Sequence, residues 1–424
     1  MLSTIYQIKD RIFYGWVVVW ACFVVFAIFM GTSSSFGVFF KELASEFNLS
    51  RTTTSAIFSG YMVLGSAFPV LGGWALDRFG PKVIVLIMGG VTGLALILIS
   101  RTTAAWQLFL TFSLLLSMGS RASYTIVMST ASRWFNRQRG LAVGIVGAGQ
   151  ALGTVIFAPL AAYIISSFDW RIAYIVMGVI AIVFIMPMSL VLKKDPDEIG
   201  TFPDGVKSEP VDSQFSSRAP VHGISQSTSL SMFQALRTRS FWLFNLLWLS
   251  SAFSLFLLLT HVVPHITDMG FSSIQAATFL SLNGIAAMAG GIIMGTVSDR
   301  VGKKRTAVIC SLLSVGFVLS LVWADKLWVL YLVAVVLGFA QGGEGIATTA
   351  LIADTFGVAN IGKIMGTLSV SWGIGAGLGP VSGGLIYDKI GDYALAFMIM
   401  AVMTLVRALF IILIRPKITT AGDN

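Results

Sequence analysis

GGWALDRFGPK, from Gly72 to Lys82, is followed half a chain later by MGTVSDRVGKK, from Met294 to Lys304. Each phrase ends one apolar segment and opens the next. Gly73, Asp77, Arg78, Gly80 and Lys82 align with Gly295, Asp299, Arg300, Gly302 and Lys304, or with Lys303 one position earlier. The offset of about 222 residues marks an internal duplication in which the second half repeats the first.

Composition identifies the solvent in which the repeat lives. With 56% hydrophobic and 11% charged residues and a mean hydropathy of +0.86, the 424 residues cannot be covered by a polar surface, and lipid takes up the excess. Backbone groups in hydrocarbon need partners within their own segment, so apolar runs of about 20 residues imply helices. Twelve spans are expected, helices 1 to 12: 14–40, 53–76, 82–100, 106–130, 141–165 and 172–192, then 241–263, 274–297, 305–323, 328–353, 364–386 and 394–414. The expected fold is an all-α membrane protein of two pseudo-symmetric six-helix bundles, residues 1–192 and 239–424. Residues 193–238 are rich in Ser, Gln, Pro and charge and too poor in large apolar residues to form a domain, so they read as a cytoplasmic linker. The first apolar run is too long for a signal-peptide core and is expected to stay attached.

Basic residues set the orientation. Roughly 20 of the 28 Lys and Arg fall in the termini, the linker and the loops after even-numbered helices, about 6 on the other side, and 2, Arg121 and Arg407, within helices. Both termini are therefore expected in the cytoplasm, in a multi-pass protein of the cytoplasmic (inner) membrane. The net charge of +9 then reports topology and anionic lipid headgroups and gives no reason to invoke nucleic acid. Cys22 and Cys310 lie in apolar helices without metal-ligand or disulfide spacing and are expected to pack. The sequence contains no P-loop and no Ser-His-Asp or metal-ligand constellation within the helices, so neither an enzyme nor an ATP-driven pump is supported, and no cofactor or metal is expected.

The two G-x-x-x-D-R-x-G-x-K loops on a six-plus-six plan resemble the major facilitator superfamily over nearly the whole chain. Trp170-Arg171-Ile172-Ala173-Tyr174 after helix 5 answers Tyr393-Ala394-Leu395-Ala396-Phe397 after helix 11, and glycine-proline patterns run from Gly149 to Pro159 and from Gly373 to Pro380. Gly119, Tyr124, Trp134-Phe135 and Arg137-Gln138-Arg139-Gly140-Leu141-Ala142 are similar to the helix 4 to helix 5 signature of the monocarboxylate porters and their oxalate/formate-antiporter relatives. Phe13-Tyr14-Gly15-Trp16 opening helix 1 and His261-Val262-Val263-Pro264-His265 closing helix 7 extend that likeness. The resemblance implies transport of small organic anions, with a proton or by exchange. This chain also departs from it: Gly291 and Trp372 stand where such relatives place an arginine and a lysine, and Arg121 stands where they have a small residue.

Site residues follow from the cost of polarity in lipid. A charge at the membrane centre costs roughly 2.5 to 3.5 kcal/mol on insertion scales, so Arg121 in helix 4 is expected to face protein or water and to mark function. Counting back from Phe135 and from the matching Phe356 brings Glu344 of helix 10 within two residues of the pseudo-symmetric position of Arg121, at a shared depth. An arginine fork suits a carboxylate, and a glutamate can hold an ammonium or cycle a proton; alternatively the two residues pair with each other. Tyr124, three residues after Arg121, is expected on roughly the same face. Gln150, Asn283 and Gln341 are intramembrane amides available to cargo or to neighbouring helices, and Trp372 is expected in the pocket wall or the core. Thr32 to Ser35 either hydrate helix 1 or bond back to it. His261 and His265 share a helical face near the outer end of helix 7, as a gate or pH-sensitive contact or as ordinary polar packing. Arg407 is expected to snorkel or to pair with a neighbouring helix in a peripheral helix 12.

Gly73, Asp77, Arg78, Gly80, Lys82, Gly295, Asp299, Arg300, Gly302 and Lys303 are expected to be gate or scaffold residues. Ion pairs there can form between bundles in one orientation and break in the other, or can serve local loop folding. Three functional versions are open: Arg121 holding a carboxylate while Glu344 carries a proton; Arg121 and Glu344 gripping a zwitterion such as an amino-acid-like compound; or both forming a gate in a hydrophobic-drug exporter. The implied partners are a small, anionic substrate, a proton or counter-substrate and the lipid bilayer, with the chain acting as a monomer by alternating access.

Overall fold

In hydrocarbon an amide is paired inside its own segment or not at all, and the apolar runs fold accordingly. The computed structural model describes residues 13–135, 138–205, 232–357 and 361–414, and every regular element among them is helical. Each of the twelve expected stretches is helix, and nine helices among the described residues are long and apolar enough to cross a membrane. The other three stretches have local reasons for missing that mark. Helix 2 bends at Ser66 and Ala67, between Arg51–Gly65 and Phe68–Ile99. Helix 4 is pieced together from Ala105–Leu108, a π-helical stretch Phe109–Leu116, Ser117–Ser120 and Ser123–Arg133. Helix 9, Lys303–Ser320, opens on three consecutive cations, Lys303, Lys304 and Arg305.

The repeated phrase makes the same corner twice. Gly80 has φ 74° and Gly302 has φ 100°, and each turns the chain from the end of one span into the next. That left-handed region is open to glycine and strained for a residue with a Cβ. Around the first corner Asp77 accepts Arg133 at 2.7 Å, while Lys194 donates to the Asp77 carbonyl at 2.8 Å. Around the second, Lys303 meets Asp354 at 2.8 Å and Lys304 donates to the Ile414 carbonyl at 2.8 Å.

Glycines set the seams inside each half. A Cβ on Gly153 of helix 5 would strike the Ala27 carbonyl of helix 1. Gly338 and Gly342 of helix 10 lie against the Asn283 and Ala287 carbonyls of helix 8, and Gly375 and Gly379 of helix 11 against the Leu249 and Phe253 carbonyls of helix 7. Lipid supplies no hydrophobic drive between helices, so this backbone-level approach contributes dispersion that larger side chains would forfeit. Between the halves, helix 5 meets helix 8, where Ser281 donates to the Val155 carbonyl at 3.2 Å, and helix 2 meets helix 11, where Ser59 donates to the Gly377 carbonyl at 2.6 Å.

Two sequence expectations resolve here. Thr32, Ser33, Ser34 and Ser35 bond back to carbonyls three or four residues earlier, and helix 1 breaks at Ser35 before resuming as Phe36–Glu46. The linker is not featureless where described: Pro196–Ile199 forms a 3-10 turn, and the Trp134 indole donates to the Lys193 carbonyl at 3.2 Å. Residues 206–231 lie outside the described residues.

Overpacking a seam costs about 1–3 kcal/mol. Gly342→Leu is expected to lower the thermal midpoint of the purified protein, whereas Gly345→Ala, whose Cβ meets nothing within 4 Å, leaves it unchanged. Equal midpoints for the two variants would remove the glycine seam from the account.

Candidate functional site

The unusual build of helix 4 positions the first site residue. Its π-helical stretch ends just before Ser117, and π segments widen a helix and re-aim its side chains. Ser113 donates to the Ile57 carbonyl at 2.6 Å, and Ser120 shares a 2.8 Å hydrogen bond with the Tyr61 hydroxyl, so helix 4 is anchored to helix 2 within the distortion and just after it. Arg121 follows at the break between two helical pieces. Its stem lies against Gly65, and its guanidinium carbon sits 5.4 Å from the Tyr61 ring centroid. Arg121 is half-buried, its Nε has no hydrogen-bond partner, and no carboxylate among the described residues comes within 4.0 Å of it. A cation in this position is held by a π-face and lacks a counter-charge.

Glu344 is not that counter-charge. Its Oε1 lies 2.9 Å from Nε of Arg407, with each side chain 6% exposed. The Arg407 Nε–H is not aligned on that oxygen, so the contact is an ion pair rather than a hydrogen bond, and Glu344 Oε2 is unpartnered. Arg407 also donates to the Ser251 hydroxyl of helix 7 at 3.3 Å. The alternative in which Arg121 and Glu344 pair with each other is therefore not what the structure has; Glu344 pairs inside the second half. Pseudo-symmetry gave a shared depth but not the direction in which Glu344 points. Arg407 does not snorkel from a peripheral helix; it is buried and paired.

The remaining expected site residues are spread along the helices. Tyr124 is 60% exposed, with its ring 5.9 Å from Phe26 of helix 1. Gln150 is exposed on helix 5, and Gln341 is half-buried on helix 10. Asn283 is buried and donates to the Ala334 carbonyl at 3.2 Å, tying helix 8 to helix 10. Trp372 is half-buried, with Trp248 at 5.7 Å and Phe256 at 6.2 Å between ring centroids.

At the end of the molecule opposite the linker, here the far end, the halves are latched together. Helix 2 begins at Arg51 with amides that no preceding turn can satisfy. Arg51 N and Thr52 N donate to the Asp388 carboxylate of helix 11 at 2.9 and 2.8 Å, and Thr53 N donates to Ser50 Oγ at 3.1 Å. A carboxylate from one half thus caps a helix of the other, on the favourable side of its dipole. The Arg51 guanidinium reaches Asp268 at 2.7 Å and the Tyr393 hydroxyl at 2.6 Å, with Tyr387 stacked 3.6 Å from its carbon, and Lys41 joins Asp268 at 2.6 Å.

His261, fully buried, completes the latch. Its Nε2 is 2.7 Å from the Pro380 carbonyl, which places the ring proton there and leaves Nδ1 to accept from the Tyr393 hydroxyl at 3.2 Å. Arg51, Lys41, Asp268, Asp388 and Tyr393 were absent from the sequence-level site. The available signal was opposite charges in short connections on the charge-poor side of the chain.

At the linker end, Asp77 pairs with Arg133 of its own half, Arg78 lies 5.6 Å over Trp74, and Lys303 pairs with Asp354 of its own half. Lys82 and Arg300 are exposed, Gly73 and Gly295 are half-buried, and the Asp299 side chain lies outside the described set. The two narrower signatures interlock nearby: Phe13 and Trp16 pack on Phe135 at 5.4 and 4.7 Å, and Tyr14 on Trp134 at 5.5 Å. Arg137 lies outside the described residues.

Comparison with known proteins agrees with this architecture. The model of the Major Facilitator Superfamily matches residues 21–325 and 262–423, and the chain belongs to that family of membrane transporters; it is not an enzyme. Monocarboxylate transporter 13 of Bos taurus is 27% identical over 390 residues, covering 91% of this chain and 86% of its own length. Monocarboxylate transporter 12 of Xenopus laevis is 25% identical over 401 residues, covering 91% and 85%. A bacterial homologue of the human lysosomal transporter Spinster, described as inward-facing and unoccupied, superposes with a TM-score of 0.73 at 16% identity over 94% of this chain and 96% of its own.

Two predictions follow from the pairs described. Removing one member of a buried ion pair costs about 3–5 kcal/mol, so Arg407→Met or Glu344→Leu alone is expected to lower the thermal midpoint, and the double variant to recover part of the loss; additive losses would show that the two charges act independently. Loss of a helix cap is worth about 1 kcal/mol, so Asp388→Ala is expected to speed amide exchange at Arg51 and Thr52 about fivefold. Unchanged exchange at those two amides would mean that Asp388 is not their cap in solution.

Proposed function

We propose that this chain is a secondary active transporter that carries a small organic anion of the carboxylate type across the cytoplasmic membrane. The carrying observation is Arg121: a half-buried guanidinium in helix 4 with an unpartnered Nε and no carboxylate within 4.0 Å among the described residues. A ligand carboxylate would supply the missing charge in a fork geometry. The names of the monocarboxylate transporters it resembles support the same substrate class.

In this proposal residues 1–192 and 239–424 act as two bodies joined by a cytoplasmic linker at 193–238, with both termini cytoplasmic and the chain monomeric. The latched far end is one of two alternating states, and the other state parts Arg51 from Asp268 and Asp388. Tyr124, Gln150, Gln341 and Trp372 border the transport path, and Asn283 shapes it through helix 8. Proton coupling is assigned to Glu344, with His261 as a proton-sensitive contact of the far-end seal; exchange against a second anion is the alternative energy source. The glycines and charges of the repeated phrase act as scaffold and gate at the cytoplasmic end. The zwitterion version has less support, since Glu344 is engaged with Arg407 and leaves an ammonium group without an evident partner. The exporter version has less as well, because neither residue faces the other as a gate pair.

Reconstituted in liposomes, the protein is expected to take up carboxylates down an imposed proton gradient, and Arg121→Gln to lose that uptake by at least tenfold, the scale of one lost charge-assisted contact. With Glu344→Gln, counterflow exchange is expected to persist while gradient-driven uptake disappears. Carboxylate uptake undiminished in Arg121→Gln would refute the assignment of the anion site.

A further inference from the structure

This inference rests on the anion-carrier reading and specifies its cargo. The first observation is the balance of charge. Among the described residues, Arg121, Glu344 and Arg407 are the Asp, Glu, Lys or Arg side chains in the interior of the twelve spans, and Glu344 with Arg407 forms a neutral pair. Arg121 alone is left to be neutralised. One carboxylate does so; a second carboxylate on the same molecule would enter the membrane interior without a cation to meet it.

The second observation is the surroundings of that cation. Arg121 stands over Tyr61, Tyr61 lies 5.8 Å from Phe58, and Phe58 lies 6.0 Å from Phe256 across the boundary between the halves. Phe256 continues to Trp372 at 6.2 Å, and Trp372 to Trp248 at 5.7 Å. The ladder therefore runs from the single unbalanced cation in the first half to a pair of half-buried indoles in the second. Both ends gather about one turn of helix 2. The Arg121 stem crosses Gly65, and Gly373, the neighbour of Trp372, packs on Ser66. Phe58, Tyr61 and Phe256 are buried, whereas Trp372 and Trp248 keep part of their surface open. A half-buried indole beside a ring ladder offers apolar surface to a flat partner, and offset or edge-on ring contacts favour an aromatic one over an aliphatic one of equal size.

We propose that the cargo is an aromatic monocarboxylic acid in its anionic form, its carboxylate on the Arg121 fork and its ring against Trp372, and that Trp372 is a specificity-determining residue. Charge number is set in the first half and ring preference in the second, so a ligand that satisfies both spans the boundary between them.

The test is thermal stabilisation and counterflow of the full-length purified protein with phenylacetate, cyclohexylacetate, acetate, phthalate and benzyl alcohol. Phenylacetate is expected to stabilise best, cyclohexylacetate about tenfold more weakly, and acetate, phthalate and benzyl alcohol only at far higher concentration. Trp372→Leu is expected to erase the preference for phenylacetate over cyclohexylacetate while both still bind, and Trp372→Phe to keep it, which separates lost stacking from a damaged fold. Phthalate or acetate binding as tightly as phenylacetate, or a ring preference that survives Trp372→Leu, would overturn the cargo assignment while leaving the anion site intact, provided Arg121→Gln abolishes binding of every carboxylate. If no carboxylate stabilises the wild-type protein while benzyl alcohol does, the anion-carrier reading itself fails.

Discussion

Helix 2 starts with amide donors that its own geometry cannot satisfy, and the carboxylate that satisfies two of them belongs to helix 11 in the other half of the chain. Much of the far-end closure is organised around that cap. With Asp388 fixing where helix 2 begins, Arg51 is brought to Asp268 and to Tyr393, and Tyr393 in turn reaches the buried ring of His261. These charged contacts lie at a rim where the side chains are half-buried or exposed, so water can replace each bond if the halves part. Screening keeps such pairs individually weak, and a closure made of several weak, replaceable contacts can hold and still release. The Glu344–Arg407 pair is the opposite case. It is dry, it lies wholly within the second half, and separating it would strand two charges in a low-dielectric interior. The buried charge pair is confined to one half, and the charges that join the halves sit where water can reach.

Helices 1 and 5, 8 and 10, and 7 and 11 meet within their own halves through glycines whose missing Cβ lets backbones touch. Such seams have little freedom to slide, because interiors at this density lose contacts outright when a gap opens. Between the halves the contacts include hydroxyl-to-carbonyl hydrogen bonds such as Ser59 to Gly377 and Ser281 to Val155, together with edge contacts of rings. Glycine contacts at backbone level also cross the boundary at the far end, where Gly37 lies against the Leu259 carbonyl and Gly384 against the Arg51 carbonyl, so the interface combines close seams with replaceable polar contacts.

Sequence carried the fold well and the site unevenly, for definable reasons. The span positions were legible because the requirement for internal hydrogen bonding in lipid leaves helices as the form that apolar runs of this length take. The corners at Gly80 and Gly302 were legible because the phrase repeats with its glycines in register. That Arg121 and Glu344 fall inside helical spans was legible too. Azimuth was not: a charge on a helix interrupted by a π-helical stretch or by glycines points where the local geometry sends it, and Glu344 turns to Arg407 instead of to Arg121. The latch was invisible for a related reason. Arg51, Asp268 and Asp388 sit at the ends of three helices far apart in sequence, where charges are ordinary and only the assembled fold brings them together.

The duplicated phrase shows how much of a repeat survives as geometry and how much as chemistry. Both corners keep a glycine at positive φ, since the turn admits little else, but the pairs that brace them have changed sense. In the first half an acid of helix 2, Asp77, meets a base at the end of helix 4, Arg133; in the second a base at the start of helix 9, Lys303, meets an acid at the end of helix 10, Asp354. The openings of helices 6 and 12 diverge in the same way. Trp170 packs locally on Phe47 and Tyr174, with Arg171 beside it bound to Glu46 of its own half, whereas Tyr393 at the matching place is recruited across the boundary by Arg51. Backbone constraints hold two copies of a bundle alike because they act on every residue, while a seal between the copies depends on a few side chains that are free to differ. A latch at one end, built from unlike partners at like positions, is what a symmetric scaffold requires if its two ends are not to be closed by the same contacts.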